Sequence, residues 1–83
     1  MNLILVIEDE AKVRNFIVEG LQANHFSVFA ASDLDEAESL LSIHTFTVVV
    51  IDRLLNGRDS LSVLQHLQKL APRTKFLVLS ALS

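Results

Sequence analysis

Apolar positions follow two alternating patterns along the chain. Leu3-Ile4-Leu5-Val6-Ile7 is an unbroken apolar run rich in β-branched side chains, which suits a strand buried on both faces, as in a parallel sheet. The period then changes. Val13, Phe16, Ile17, Gly20 and Leu21 fall at i, i+3, i+4, i+7 and i+8, one face of a helix, which Asn24-His25-Phe26 closes. Val28 to Ala31 reads as a short second strand. Leu34, Ala37, Leu40 and Leu41 supply the stripe of a second helix. Ser32 with Asp35, or Asp33 with Glu36, can form a capping box at its start. Phe46 to Ile51, with Val48-Val49-Val50-Ile51 in a row, is the strongest strand pattern. A polar loop, Asn56-Gly57-Arg58-Asp59, leads to a third helix marked by Leu61, Leu64, Leu67 and Ala71 and stopped by Pro72. Phe76-Leu77-Val78-Leu79 is a fourth strand.

Strand and helix alternate as βαβαβαβ. That order predicts an α/β fold with right-handed crossovers, a doubly wound parallel sheet and helices on both faces. Composition narrows the picture further. Eighty-three residues make one domain. A hydrophobic share of 51% argues against disorder. Net charge −3, from 7 basic and 10 acidic residues, leaves no clustered positive face, so no direct nucleic-acid contact is expected. There is no cysteine, hence no disulfide framework and no thiolate metal site. The apolar run at the N-terminus meets Glu8-Asp9-Glu10 at once, too short for a membrane span and wrongly flanked for a secretory leader. The expectation is a cytoplasmic chain without membrane contact.

Ligands of parallel α/β sheets sit beyond the carboxyl ends of the strands. The first strand ends in Glu8 and Asp9, the third in Asp52 and the fourth in Ser80. Three acids and a hydroxyl thus converge on one rim. Crowded carboxylates repel one another unless a cation sits among them. An all-oxygen set suits a hard ion such as Mg²⁺, which keeps positions open for water and phosphate oxygens. One of the acids is then a possible nucleophile toward a phosphoryl group. Spacing alone does not say which.

Three blocks in order carry a resemblance. Ile4-Leu5-Val6-Ile7-Glu8-Asp9-Glu10, Val48-Val49-Val50-Ile51-Asp52-Arg53-Leu54-Leu55-Asn56-Gly57-Arg58-Asp59-Ser60 and Leu77-Val78-Leu79-Ser80-Ala81 resemble the acid-pair, phosphoacceptor and fourth strands of response-regulator receiver domains of two-component signalling. The resemblance implies the flavodoxin-like strand order 2-1-3-4-5. It also implies roles by position. Asp52 would accept the phosphoryl group from a sensor histidine kinase. Asp9 would bind Mg²⁺ directly and Glu8 through a water. The backbone carbonyl of Leu54 would complete the protein's share of the shell, with Asp52 also a ligand. Ser80 would donate a hydrogen bond to the phosphoryl group. Such a chain is not an enzyme beyond its own phosphorylation and dephosphorylation. Full-length relatives commonly pass the signal to transcription through a DNA-binding output domain.

The match departs from the family in places. Asn56 stands for the usual proline and Ser60 for the usual second glycine of the loop. Asn56-Gly57 is good turn chemistry and Ser60 a reasonable helix cap. Asp59 is read as a turn or cap residue. Arg53 follows the acceptor where a neutral residue is usual. Strand alternation points it away from Asp52, or else its charge reaches the phosphate rim. The family continues through another helix, a lysine-bearing fifth strand and a last helix, so residues 1–83 read as the N-terminal portion of a receiver domain, with its last αβα missing. Lys69 and Lys75 sit at the opposite rim and cannot replace that lysine. The sheet face left bare predicts self-association, as a homodimer. The competing function is a non-phosphorylated receiver-like interaction or dimerisation module. An aspartyl phosphatase would need a second acid at position 54, which is leucine, and a flavin phosphate would meet an acidic first loop. His25, His44 and His66 share no ligand spacing and read as surface or boundary residues.

Overall fold

The computed structural model describes residues 2–80. The main sheet strands are β1 (Leu3–Ile7), β2 (Ser27–Ala31), β3 (Val48–Asp52) and β6 (Lys75–Leu79). Helices α1 (Ala11–Ala23), α2 (Leu34–Ile43) and α3 (Leu61–Leu70) connect them. A small hairpin, β4 (Leu54–Leu55) and β5 (Arg58–Asp59), follows β3. The four long strands form one parallel sheet in the order β2-β1-β3-β6, as a doubly wound reading requires. Ala81, in the third block of the resemblance, lies outside the described residues.

The continuous apolar runs form the two central strands because both faces of the sheet are covered there. Leu5, Ile7, Val49 and Ile51 face α2 and α3, packing with Ala37, Leu41, Phe46 and Leu67. Ile4, Val6 and Val50 face α1, against Ile17, Val18 and Leu21. Alternation places every even position of β1 and β3 on the α1 side. The register pairs Val6 with Val50 and Ile7 with Ile51. The next step, Glu8 beside Asp52, is therefore the first polar level above an apolar layer.

Helix α1 departs from its expected stripe. Ile17, Val18 and Leu21 pack on the sheet, but Val13 is 40% and Phe16 78% exposed. The sheet region beside them is bare, with Leu77 54% and Leu79 36% exposed on β6. At α2 the Asp33 reading of the cap holds. The Asp33 carboxylate accepts from Glu36 N at 2.8 Å, and Glu36 Oε1 accepts from Ser32 N at 2.9 Å.

The loop after β3 is more ordered than its polarity suggests. Leu54 pairs with Asp59 and Leu55 with Arg58, antiparallel. Between them Asn56 and Gly57 both have positive φ, 52° and 75°, the mark of a type I′ two-residue turn. Leu55 is buried against the α2–α3 core and anchors the hairpin. The expected Ser60 cap is corrected. Ser60 takes helical φ/ψ of −66° and −17° and makes no side-chain cap bond, whereas an N-cap acceptor stands in extended backbone. Asp59 caps α3 instead, its Oδ1 accepting from Leu61 N at 3.0 Å. Strand β3 also begins at Val48 rather than Phe46. Phe46 is nonetheless buried, its ring edge-on to Phe29 and His44, each with centroids 5.9 Å away. Among the described residues, no helix is long and apolar enough to cross a membrane.

Candidate functional site

The acids meet because β1 and β3 are hydrogen-bonded neighbours that end at the same level. Glu8 N donates to Ala31 O at 3.0 Å, which prolongs the β1–β2 ladder by one bond and draws Glu8 inward. Glu8 is 5% exposed, Asp52 half-buried and Asp9 exposed. One carboxylate oxygen from each of the three lies within 4.8 Å of the others. Glu8, Asp52 and Ser80 line a cavity of about 260 Å³ together with apolar side chains that include Val50, Ile17 and Leu79. Arg53 N donates to Leu79 O at 2.8 Å and ties the ends of β3 and β6 together.

Glu8 titrates far from its ordinary range. Burial is the largest cause, followed by a hydrogen bond with Asp52 and then the negative charges of Asp52 and Asp9. Together they push its carboxyl from 4.5 up to about 7. Glu8 therefore holds its proton to a higher pH than an ordinary carboxyl does, at the level where the carboxylates crowd. Among the described residues no cationic side chain forms an ion pair with them. The ion pairs among the described residues are Arg53–Asp59, at 3.7 Å, and Glu38–His66, at 3.0 Å, and neither lines the cavity. An all-oxygen cluster with one buried, uncompensated acid fits a small hard cation.

Of the residues expected at the site, Glu8, Asp9 and Asp52 form the cluster and Ser80 stands on the cavity wall. Leu54 lies in the hairpin, with its residue 60% exposed, and does not line the cavity. Arg53 turns to Asp59 and stays exposed. Lys75 pairs with Val48 while Leu79 pairs with Asp52, so Lys75 does stand at the opposite rim. Arg14, which sequence reading passed over, donates from Nη1 to Glu8 O at 3.0 Å and to Asp9 O at 3.5 Å.

The profile of the response regulator receiver domain matches residues 4–83 of this sequence. The chain belongs to that family. This receiver is 34% identical over 79 residues to the protein PetR of Rhodobacter capsulatus, covering 94% of the chain and 32% of PetR. It is 32% identical over 66 residues to the phosphate regulon transcriptional regulatory protein PhoB of Escherichia coli, covering 80% of the chain and 29% of PhoB. The receiver thus spans about a third or less of these curated relatives. All of it superposes on a response regulator protein from Burkholderia pseudomallei solved with a phosphorylated aspartic acid, calcium ion and citrate, with TM-score 0.90, 28% identity and 49% of that chain covered. It also superposes on TrrA of Thermotoga maritima in complex with Mg²⁺–BeF, with TM-score 0.87, 28% identity and 72% of that chain covered. TrrA has been solved with the histidine kinase ThkA as well, where the TM-score is 0.86.

Proposed function

We propose that this receiver takes a phosphoryl group on Asp52, donated by a sensor histidine kinase, with Mg²⁺ held between Glu8, Asp9 and Asp52. The observation that carries the proposal is the convergence of those three carboxylates within 4.8 Å at the ends of neighbouring parallel strands. Asp9, the exposed member, is the direct ligand, and the buried Glu8 acts through a water. The Leu54 carbonyl completes the protein's share, as the family resemblance implies. When bound, the divalent cation neutralises charge on the phosphoryl oxygens. An Asp52 Oδ attacks phosphorus. The new O–P bond forms as the P–N bond to the kinase histidine breaks, and the electron pair stays on the ring nitrogen. The Ser80 hydroxyl, on the wall of the same cavity, donates to a phosphoryl oxygen. The chemistry is confined to this chain's own phosphorylation and dephosphorylation.

The pairing of TrrA with its kinase supports a kinase as donor, and the likeness to PhoB supports an output in transcription control. A cytoplasmic location goes with this reading. Residues 1–83 form the N-terminal portion of the domain in this reading, in keeping with 72% coverage of TrrA.

Incubation with Mg²⁺ and acetyl phosphate tests the proposal by intact mass. A Mg²⁺-dependent phosphoryl adduct is expected on the wild type and none on Asp52→Asn. A folded wild type that gains no adduct favours the non-phosphorylated interaction module instead.

Phe16, Leu77 and Leu79 also support self-association of the 83-residue chain, since apolar side chains this exposed gain by mutual burial. Sedimentation equilibrium is expected to show a concentration-dependent dimer that Leu77→Lys converts to monomer. A wild type that stays monomeric at every concentration contradicts this.

A further inference from the structure

Glu8 and Asp9 leave the sheet where its ladder of hydrogen bonds ends, so their carbonyls need partners from elsewhere. Arg14 provides them, with Nη1 at 3.0 Å from Glu8 O and 3.5 Å from Asp9 O. It is half-buried, unlike its exposed neighbours Lys12 and Asn15. The helix gains little from it. The N-cap Glu10 makes no side-chain cap bond and the first turn carries no acid, and a cation near a helix N-terminus opposes the dipole. Arg14 also takes part in neither ion pair found among the described residues. What it does is close the peptide of Glu8 from the far side. Ala31 O holds Glu8 N, and Arg14 holds Glu8 O and the next carbonyl.

We propose that Arg14 is a positioning residue of the acid site. By pinning the peptide groups of Glu8 and Asp9 it fixes where their carboxylates stand relative to Asp52. The inference rests on the reading of the cluster as a cation site. It extends that reading to a side chain that touches neither cation nor phosphoryl group. A guanidinium suits the task because its plane fixes the direction of the N–H bonds that Nη1 sends to both carbonyls, where an ammonium is a rotating point charge.

The test uses the ¹⁵N-labelled chain as wild type, Arg14→Ala, Arg14→Lys and Lys12→Ala. Two quantities are read. One is the heteronuclear NOE of the Asp9 and Glu10 amides without metal. The other is the Mg²⁺ dissociation constant from amide shifts. Arg14→Ala is expected to lower the loop NOE and weaken Mg²⁺ binding about tenfold, the low end for partners that orient metal ligands. Arg14→Lys is expected to fall between it and the wild type, and Lys12→Ala to match the wild type. Loop order and Mg²⁺ affinity both unchanged in Arg14→Ala would overturn the proposal. If Arg14→Ala does not fold, Arg14→Lys decides, because loss of one of the two donated bonds still predicts a smaller shift of the same sign. If the wild type itself binds no Mg²⁺, the cation-site reading fails, and the metal-free NOE still decides whether Arg14 orders the acid loop.

Discussion

Raising the pH of the metal-free chain from about 5 to about 8 is expected to cost about 2–3 kcal/mol of folding stability through Glu8 alone. In the folded chain its carboxyl is raised from 4.5 to about 7, by burial first and then by Asp52 and Asp9. Between those values the native state holds a proton that the unfolded chain has released. Stability therefore falls as pH rises through that window. The contribution is fully present below the unfolded value and gone above the folded one. On the proposed reading Mg²⁺ takes the deprotonated cluster, so at the upper pH it is expected to restore stability, and at the lower pH to add little. Urea unfolding followed by circular dichroism measures this at both pH values, with and without Mg²⁺. Glu8→Gln isolates the residue, since other carboxylates titrate in both proteins. Its pH slope is expected to lie below that of the wild type by the amount stated. Equal slopes would show that Glu8 is not the buried acid of the site.

Phe46→Ala is expected to remove about 3–5 kcal/mol, the range for deleting a buried aromatic. The total stability of a domain this size is roughly 4–12 kcal/mol, so a large part of it would be lost. Phe46 is 1% exposed although it precedes β3. It fills the space between α2 and the sheet, beside Leu41, and meets Phe29 and His44 edge-on. Its carbonyl accepts from Thr74 Oγ1 at 2.6 Å, which ties the start of β3 to the turn before β6. Phe46→Leu keeps most of the apolar volume and is expected to cost about 1 kcal/mol. The urea midpoint reads both variants, and equal small shifts would contradict this account of the core.

The fold was legible because its signals are periodic. Leu3–Ile7 and Val48–Ile51 could be read as doubly buried strands without knowledge of their neighbours, and the helices declared themselves by spacing. The site was legible for a related reason. Once the strands are parallel, their carboxyl ends share a rim, and the residues there can be counted off. What escaped reading depends on a third dimension. Phe16 fits its stripe, but nothing in the described residues packs on it. Ser60 has a capping residue's chemistry without the backbone angles, and Asp59 takes its place. The turn at Asn56-Gly57 was legible but the hairpin around it was not, because its arms are only two residues each, too short for alternation to register. The depth of Glu8 follows from the even-position rule that also buries Val6 and Val50. Its bond to Ala31 could be known only once β2 was placed beside β1. Arg14 gave no signal at all, since its partners are carbonyls and any residue carries those.

The central claim is that Asp52, and not its neighbouring acids, takes the phosphoryl group. The most direct measurement is to treat the Mg²⁺-loaded chain with acetyl phosphate, reduce the acyl phosphate with borohydride to the corresponding alcohol, and locate the altered residue by tandem mass spectrometry. The account predicts conversion at position 52 alone. Conversion at Glu8 or Asp9, or none in a folded sample that binds Mg²⁺, would contradict it.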